Sequence, residues 1–361
     1  MAQRLKLTDR LDGWSRRAFV THGLAAAGLA GTLSKPSMVS TMTGPVLCGS
    51  LGTTLMHEHV LWFGGPKLTD SGYTPIPAGL RSESVDFAVS LLNDAARVGI
   101  ETLVDLTPHR PIELYQQIAK RTSVKIIPST GFYRRQKIPK RMADIDDEKQ
   151  MQNLMLKEVT EGIDGTSVRA GIIKVASEGS PLSDWERKVF RAAARVQKAT
   201  GVAIATHSGA ASAGEQFDLL VGTGANPHRI FFSHVDVGAK GHTDRLERLR
   251  SIVKEGSYLE VDTFGQEFYT PWADLTSFLR YLFDAGFNNR LFISIDCNWR
   301  WENGKRLFEG AEPPARDPNA SKRTYAYMMT DAVPKLLRSG FSEKEIHTFL
   351  VDNPRSFFCG V

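Results

Sequence analysis

The chain has 361 residues, 42% of them apolar and 24% charged, the balance of a globular protein with a sizeable core. Of the net charge of +5, +4 sits in residues 1–35, where six basic groups (Arg4, Lys6, Arg10, Arg16, Arg17, Lys35) face two acidic ones (Asp9, Asp12). The remainder is near neutral and gives no ground for a nucleic-acid partner. No apolar run reaches the roughly 20 residues that span a bilayer, which argues against an integral membrane protein. Three cysteines (Cys48, Cys297, Cys359) without C-x-x-C spacing exclude a disulfide-dense scaffold and a zinc ribbon.

The first 40 residues read as a signal peptide and leader. Ser15-Arg16-Arg17-Ala18-Phe19-Val20 precedes a short Ala/Gly-rich apolar stretch from Leu24 to Gly31, a basic segment followed by a weak hydrophobic region. Its paired arginines resemble the twin-arginine signal, which implies periplasmic or secreted delivery of a folded protein, with no membrane association after the signal is removed. A frayed amphipathic N-terminal helix is the alternative.

Residues 41–361 read as a single domain of eight βα units. The strands are placed at 55–60, 102–107, 124–130, 170–175, 202–207, 229–234, 258–263 and 291–296, alternating with helical stretches. The clearest helix is 183–199: Ser183 and Glu186 form a capping box, Trp185, Val189, Phe190, Ala193 and Val196 repeat on one face, and Gly201 stops it. A second box, Ser342 with Glu345, opens a terminal helix that Asn353-Pro354 should end. Eight such units in about 300 residues match a (β/α)8 TIM barrel. An open doubly wound sheet is the rival, but Trp62-Phe63-Gly64-Gly65-Pro66 after the first strand is no phosphate loop. Gly310–Asn319 reads as a long loop after the eighth strand.

Metal-ligating residue types fall at the strand ends. His57 and His59 flank Glu58 in the first strand, so alternation points both imidazoles into the barrel and Glu58 outwards. By itself the pair also fits hydrogen-bonded core histidines. His207, His234 and Asp296, however, close three otherwise apolar strands at the end where barrel enzymes place their reactive groups. Lys174 interrupts the apolar run Gly171–Ala176. Such a lysine can snorkel to the rim, pair with a buried acid, or lose its proton. A neutral amine can form a Schiff base, or add carbon dioxide to give a carbamate that bridges two metals. The surrounding histidines favour the carbamate.

Thr54–His59, Ala170–Ala176, Ala205-Thr206-His207, Ser233-His234 and Ile293–Asp296, one motif per strand and in this order, resemble the phosphotriesterase family of the amidohydrolase superfamily. The resemblance runs from about residue 44 to the C-terminus, where Asp352-Asn353-Pro354 and Phe357-Phe358 also fit. It implies a binuclear metal centre at the C-terminal ends of the strands, commonly zinc, often in a homodimer. His57, His59 and Asp296 would hold one ion, His207 and His234 the other, and carboxylated Lys174 would bridge them. Two divalent ions about 3.5–4 Å apart make hydroxide available at neutral pH to attack an ester bond, and Asp296 would accept the released proton.

Around that centre the sequence departs from the family. Thr263 stands at the end of the seventh strand where organophosphate hydrolases have histidine and lactonases arginine, and Val237 stands where the second carboxylate of the proton relay is expected, with Asp236 one position away. Tyr133 matches the lactonase tyrosine and is assigned a catalytic role with Asp296, whereas Pro108-His109-Arg110-Pro111 lacks the glycine-rich pattern of lactonases. Trp299, Arg300 and Trp301 offer one wall of an apolar substrate pocket, or ordinary loop packing. His109, His228, His242 and His347 end no apolar strand and read as non-ligands, and Cys297 as packing. The expected substrate is a small, neutral, fairly apolar ester: a lactone or carboxylic ester, with phosphotriester cleavage promiscuous. Amide hydrolysis or decarboxylation at the same metals, or metal-retaining binding without turnover, are the rivals.

Overall fold

A computed structural model describes residues 37–61, 76–302 and 304–360. Arg16-Arg17, the apolar stretch behind them and the loop 62–66 lie outside the described residues. Two short strands come first, β1 (Met38–Thr41) and β2 (Gly44–Leu47), paired as an antiparallel hairpin. Met38, Val39 and Ser40, counted with the leader from sequence, therefore belong to this hairpin.

Eight strands follow in one parallel sheet whose spatial order is the chain order: β3 (Thr54–Glu58), β4 (Thr102–Asp105), β5 (Lys125–Phe132), β6 (Ile172–Ala176), β7 (Ala203–His207), β8 (Ile230–Ser233), β9 (Tyr258–Val261) and β10 (Leu291–Ile293). The first and last strands meet. His59 N–H donates to the Cys297 carbonyl at 3.1 Å, and the Ser294 hydroxyl accepts from His57 N–H at 3.1 Å. The sheet is a barrel, and the open-sheet alternative falls.

Side chains sort into two layers along each strand, as a barrel requires. Met56, Val104, Ile127, Ile172, Ala205, Phe231 and Phe292 fill the lumen, while Leu55, Leu103, Ile126, Ile173, Ile204, Phe232 and Ile293 meet the helices. The capped helix runs Asp184–Thr200 with both halves of the Ser183/Glu186 box made, and Gly201 takes the left-handed conformation at its end. Among the described residues no helix is long and apolar enough to cross a membrane.

Two local expectations fail for physical reasons, and one bond lies outside any local pattern. The strands end one to three residues early at His59, Leu106, His234, Asp262 and Ser294, because there the backbone leaves the ladder to aim side chains across the mouth. The Ser342/Glu345 box is made, but the chain does not stop at Asn353-Pro354. It continues through a wide π-helical turn (Thr348–Asp352) into Asn353–Cys359, with Pro354 in the first turn of that last segment, where a missing N–H is tolerated. Finally, Cys48 and Cys359 form a disulfide across 311 residues of sequence. Chain separation of that size leaves no spacing signal. The bond ties the hairpin to the C-terminal helix, whose Phe357 ring packs edge-on against Phe231 and Phe292 in the barrel lumen.

Candidate metal centre

The carbonyl-end mouth of the barrel gathers His57, His59, Lys174, His207, His234 and Asp296. Lys174 Nζ lies 3.2 Å from His57 Nε2. His59 Nε2 and His57 Nε2 lie 3.1 and 3.7 Å from Asp296 Oδ1. His234 Nε2 faces His207 Nδ1 at 2.8 Å, and the Tyr133 hydroxyl stands 3.4 Å from the same Nδ1. His109 packs near Phe132, His347 contacts Asp352, and His228 and His242 are exposed, so none of these four joins the cluster.

The backbone is bent to make this arrangement. His234 (φ 58°) and Asp296 (φ 48°) are two of four non-glycine residues at positive φ among those described. Left-handed backbone in such residues is uncommon, and its cost is tolerated chiefly where a site over-determines it. Glu58 supplies that constraint at Asp296. Its carboxylate accepts from Ser294 Oγ (2.7 Å), Ile295 N–H (3.1 Å) and Cys297 N–H (2.6 Å), gripping the backbone on both sides of Asp296. Alternation predicts an outward Glu58. A register shift between Leu55 and Glu58 sets alternation aside, puts Met56 in the lumen and leaves Glu58 buried against the end of β10. Gly131 matters in the same way for Lys174: the two are paired in register, φ is +123°, and a Cβ would stand 2.0 Å from the Lys174 carbonyl oxygen.

Sequence reasoning passed over Asp262 and Glu260, the groups that orient two histidines. Asp262 takes His57 Nδ1 at 2.9 Å on Oδ2 and His234 Nδ1 at 2.8 Å on Oδ1, and Glu260 Oε2 lies 3.2 Å from His57 Nδ1. A carboxylate only accepts, so both Nδ1 atoms carry the proton and both Nε2 lone pairs face the centre. The signal was present: two acids at i and i+2 of an otherwise apolar strand. Thr107 Oγ1 lies 2.8 Å from His59 Nδ1 and fixes that ring in place.

Electrostatics agree with a cation site. Burial first, then neighbouring positive groups, drives His57 and His207 well below the ordinary imidazole range, leaving them neutral donors. Burial lowers Lys174 to about 8 despite the acids around it. It is fully buried and forms no ion pair with a carboxylate among the described residues, so neither rim snorkelling nor a buried salt bridge accounts for it. Burial would raise Asp296, but the His59 hydrogen bond and the surrounding positive groups outweigh it and hold the carboxyl at about 2. Two imidazole nitrogens and one carboxylate oxygen, those of His57, His59 and Asp296, converge in a way that suits a borderline divalent cation.

The profile of the phosphotriesterase family matches residues 37–358. This chain belongs to that family. Relatives of very different stated activity resemble this phosphotriesterase-family chain almost equally. An aryldialkylphosphatase of Saccharolobus solfataricus is 28% identical over 85% of this chain and 95% of its own. An N-acetyltaurine hydrolase of Tetraodon nigroviridis is 28% identical over 88% and 97%. A mutant of a Deinococcus radiodurans phosphotriesterase-like lactonase superposes with a TM-score of 0.76 at 32% identity, covering 89% of this chain and 99% of that one. Overall likeness identifies a hydrolase of this family and does not choose the bond it cleaves.

Beside the cluster, Trp299, Arg300 and Trp301 follow the second of the two readings left open for them. Trp299 is buried, donates Nε1–H to the Val60 carbonyl at 3.1 Å and meets Phe87 edge-on, while Trp301 Nε1 donates to Ser84 Oγ at 2.7 Å. Arg300 pairs with Glu302 and Glu312. These residues pack in a hairpin of β11 (Trp299–Glu302) and β12 (Lys305–Phe308). Cys297 is a buried free thiol whose pKa is raised by burial, as packing implies.

Proposed function

We propose that the protein is a binuclear metal-dependent hydrolase that cleaves a lactone or carboxylic ester. His57, His59 and Asp296 would hold one divalent ion, His207 and His234 a second, and Lys174, as its carbamate, would bridge them; zinc suits this donor set. The observation that carries the reading is the Asp262 carboxylate, which fixes His57 and His234 with their lone pairs towards one point. When bound, the ions supply hydroxide from water at neutral pH and polarise the oxygen of the scissile group. Asp296, kept ionised, accepts the proton that attack releases. Tyr133, whose phenol burial pushes upward, stays protonated and donates a hydrogen bond to substrate oxygen.

The fate of that proton favours esters over phosphotriesters. Thr263 donates to Asp236 Oδ2, so the place of a titrating relay is taken by a closed Thr–Asp pair. A lactone needs no relay, because the tethered alkoxide collects the proton directly from Asp296. We expect kcat/KM for the best lactone or aryl carboxylic ester to exceed that for a paraoxon-like triester by about a hundredfold, roughly 2.7 kcal/mol. Tyr133→Phe should lower the ester reaction more than the triester one. Comparable rates on both classes in zinc-loaded protein would return the assignment to an organophosphatase. Amide hydrolysis is the second reading, favoured by the likeness to an N-acetyltaurine hydrolase; an acyl anilide turned over faster than its matched ester would select it.

Export fits the same picture. A disulfide such as Cys48–Cys359 persists in oxidising compartments, and Arg16-Arg17 resembles a twin-arginine pair. Arg16→Lys with Arg17→Lys should retain precursor in the cytoplasm, with Cys48 and Cys359 open to alkylation. Unchanged periplasmic delivery would remove the twin-arginine reading.

A further inference from the structure

Arg134 is the residue the proposed chemistry leaves unused. It follows Tyr133 past the end of β5, and its guanidinium lies 5.8 Å from the Tyr133 ring with Nη2 2.5 Å from His207 Nε2. Proton bookkeeping shows that this contact conflicts with metal binding. His234 Nε2 is a lone pair, so in this structure His207 Nδ1 must carry the hydrogen that joins them, and His207 Nε2 accepts from Arg134. For His207 Nδ1 to ligate a cation, its hydrogen must move to Nε2, which then faces Arg134 donor to donor. Arg134 has to turn away.

Arginine stays charged, so it remains a cation beside a centre that gathers two more. Its Nε is buried without a hydrogen bond. Its carboxylate neighbour, Glu178, is nearly half exposed and 3.7 Å from Nε, too long for a hydrogen bond. Glu309, the other acid on this side, is engaged by Asn298 at 2.8 Å and Tyr269 at 3.4 Å. Lys137, exposed three residues along the same loop, adds a second cation. A planar donor fork with no firm acceptor, backed by a second positive group at the mouth of a hydrolytic centre, is built to take an anion.

We propose that Arg134, supported by Lys137, is an anion subsite, and that the substrate carries a carboxylate, sulfonate or phosphate group remote from the bond that is cleaved. This replaces the neutral, apolar substrate expected from sequence. It rests on the hydrolase reading above and narrows it.

The test compares 4-nitrophenyl butyrate with mono-4-nitrophenyl glutarate on the zinc-loaded full chain, alongside calorimetric titration of glutarate and neutral glutaramide. The charged ester should be preferred about tenfold or more in kcat/KM, and glutarate should bind at least tenfold tighter than glutaramide. Arg134→Gln should reduce both ratios about tenfold while keeping two metals per chain, and Glu178→Gln, which removes the competing acid, should raise them. Equal ratios in the wild type and Arg134→Gln overturn the subsite. Loss of metal from Arg134→Gln also overturns it, by assigning Arg134 to holding His207. If neither ester is cleaved, the hydrolase reading fails on its own, and the glutarate titration still decides the subsite.

Discussion

Lys174→Ala is expected to lower kcat/KM by about a thousandfold or more, roughly 4 kcal/mol, and to lose most of the bound metal. Lys174 is buried at the point where the two sets of donors meet, 3.2 Å from His57 Nε2. As an ammonium it would repel the cations. Only the neutral amine, which burial brings within reach by lowering the group to about 8, can become an anionic bridge. Removing the side chain removes that anion and leaves a cavity, so Lys174→Met, which fills the space without the nitrogen, is the necessary partner. Both variants should lose metal, and acetate or propionate in excess should restore part of the activity to the alanine variant alone, because only there is room left. Two tightly held metals per chain in Lys174→Ala without added acid would show that Lys174 is not the bridge. Loss that no small acid relieves, with metal retained by Lys174→Met, would point to packing instead.

The parts of the molecule legible in the sequence are those with a short-range signature. Eight apolar runs alternating with helices give the barrel, and Ser183 with Glu186 gives a helix start to the residue. A polar residue ending an apolar strand gives His207, His234 and Asp296. What stayed hidden depends on register and on contacts between distant segments. Period-two alternation cannot foresee the shift between Leu55 and Glu58, so Glu58 was turned outward although it grips the backbone around Asp296. Asp262 has no signal in sequence beyond its i, i+2 spacing from Glu260, yet it is the acid that sets two tautomers at once. The Cys48–Cys359 bond and the Arg134–His207 contact join segments that no local pattern relates. For Trp299 and Trp301 the sequence leaves a pocket wall and ordinary packing both open, and the structure shows them packing a hairpin to a helix.

Asp262→Ala should weaken the two metals unequally. His57 keeps an acceptor for its Nδ1 proton, because Glu260 Oε2 stands 3.2 Å away, whereas His234 Nδ1 has only Asp262 among the described residues. With Asp262 gone, the His234 ring is free to rotate or to move its proton to Nε2, and either change withdraws the lone pair from the centre. Groups that orient metal-bound histidines are worth about 10- to 100-fold in affinity, roughly 1.4–2.7 kcal/mol. The ion shared by His207 and His234 should therefore leave first. Under a graded chelator the variant should pass through a plateau of one metal per chain, with kcat/KM down about a hundredfold at limiting metal. Adding Glu260→Gln should weaken the His57 ion as well and abolish the plateau. Glu260 also gains from the change: its carboxyl, raised by burial and then by Asp262, loses its closest like charge, so Asp262→Ala alone should leave the His57 side intact. Two metals leaving together at the wild-type chelator concentration would show that Asp262 does not set the tautomer of His234.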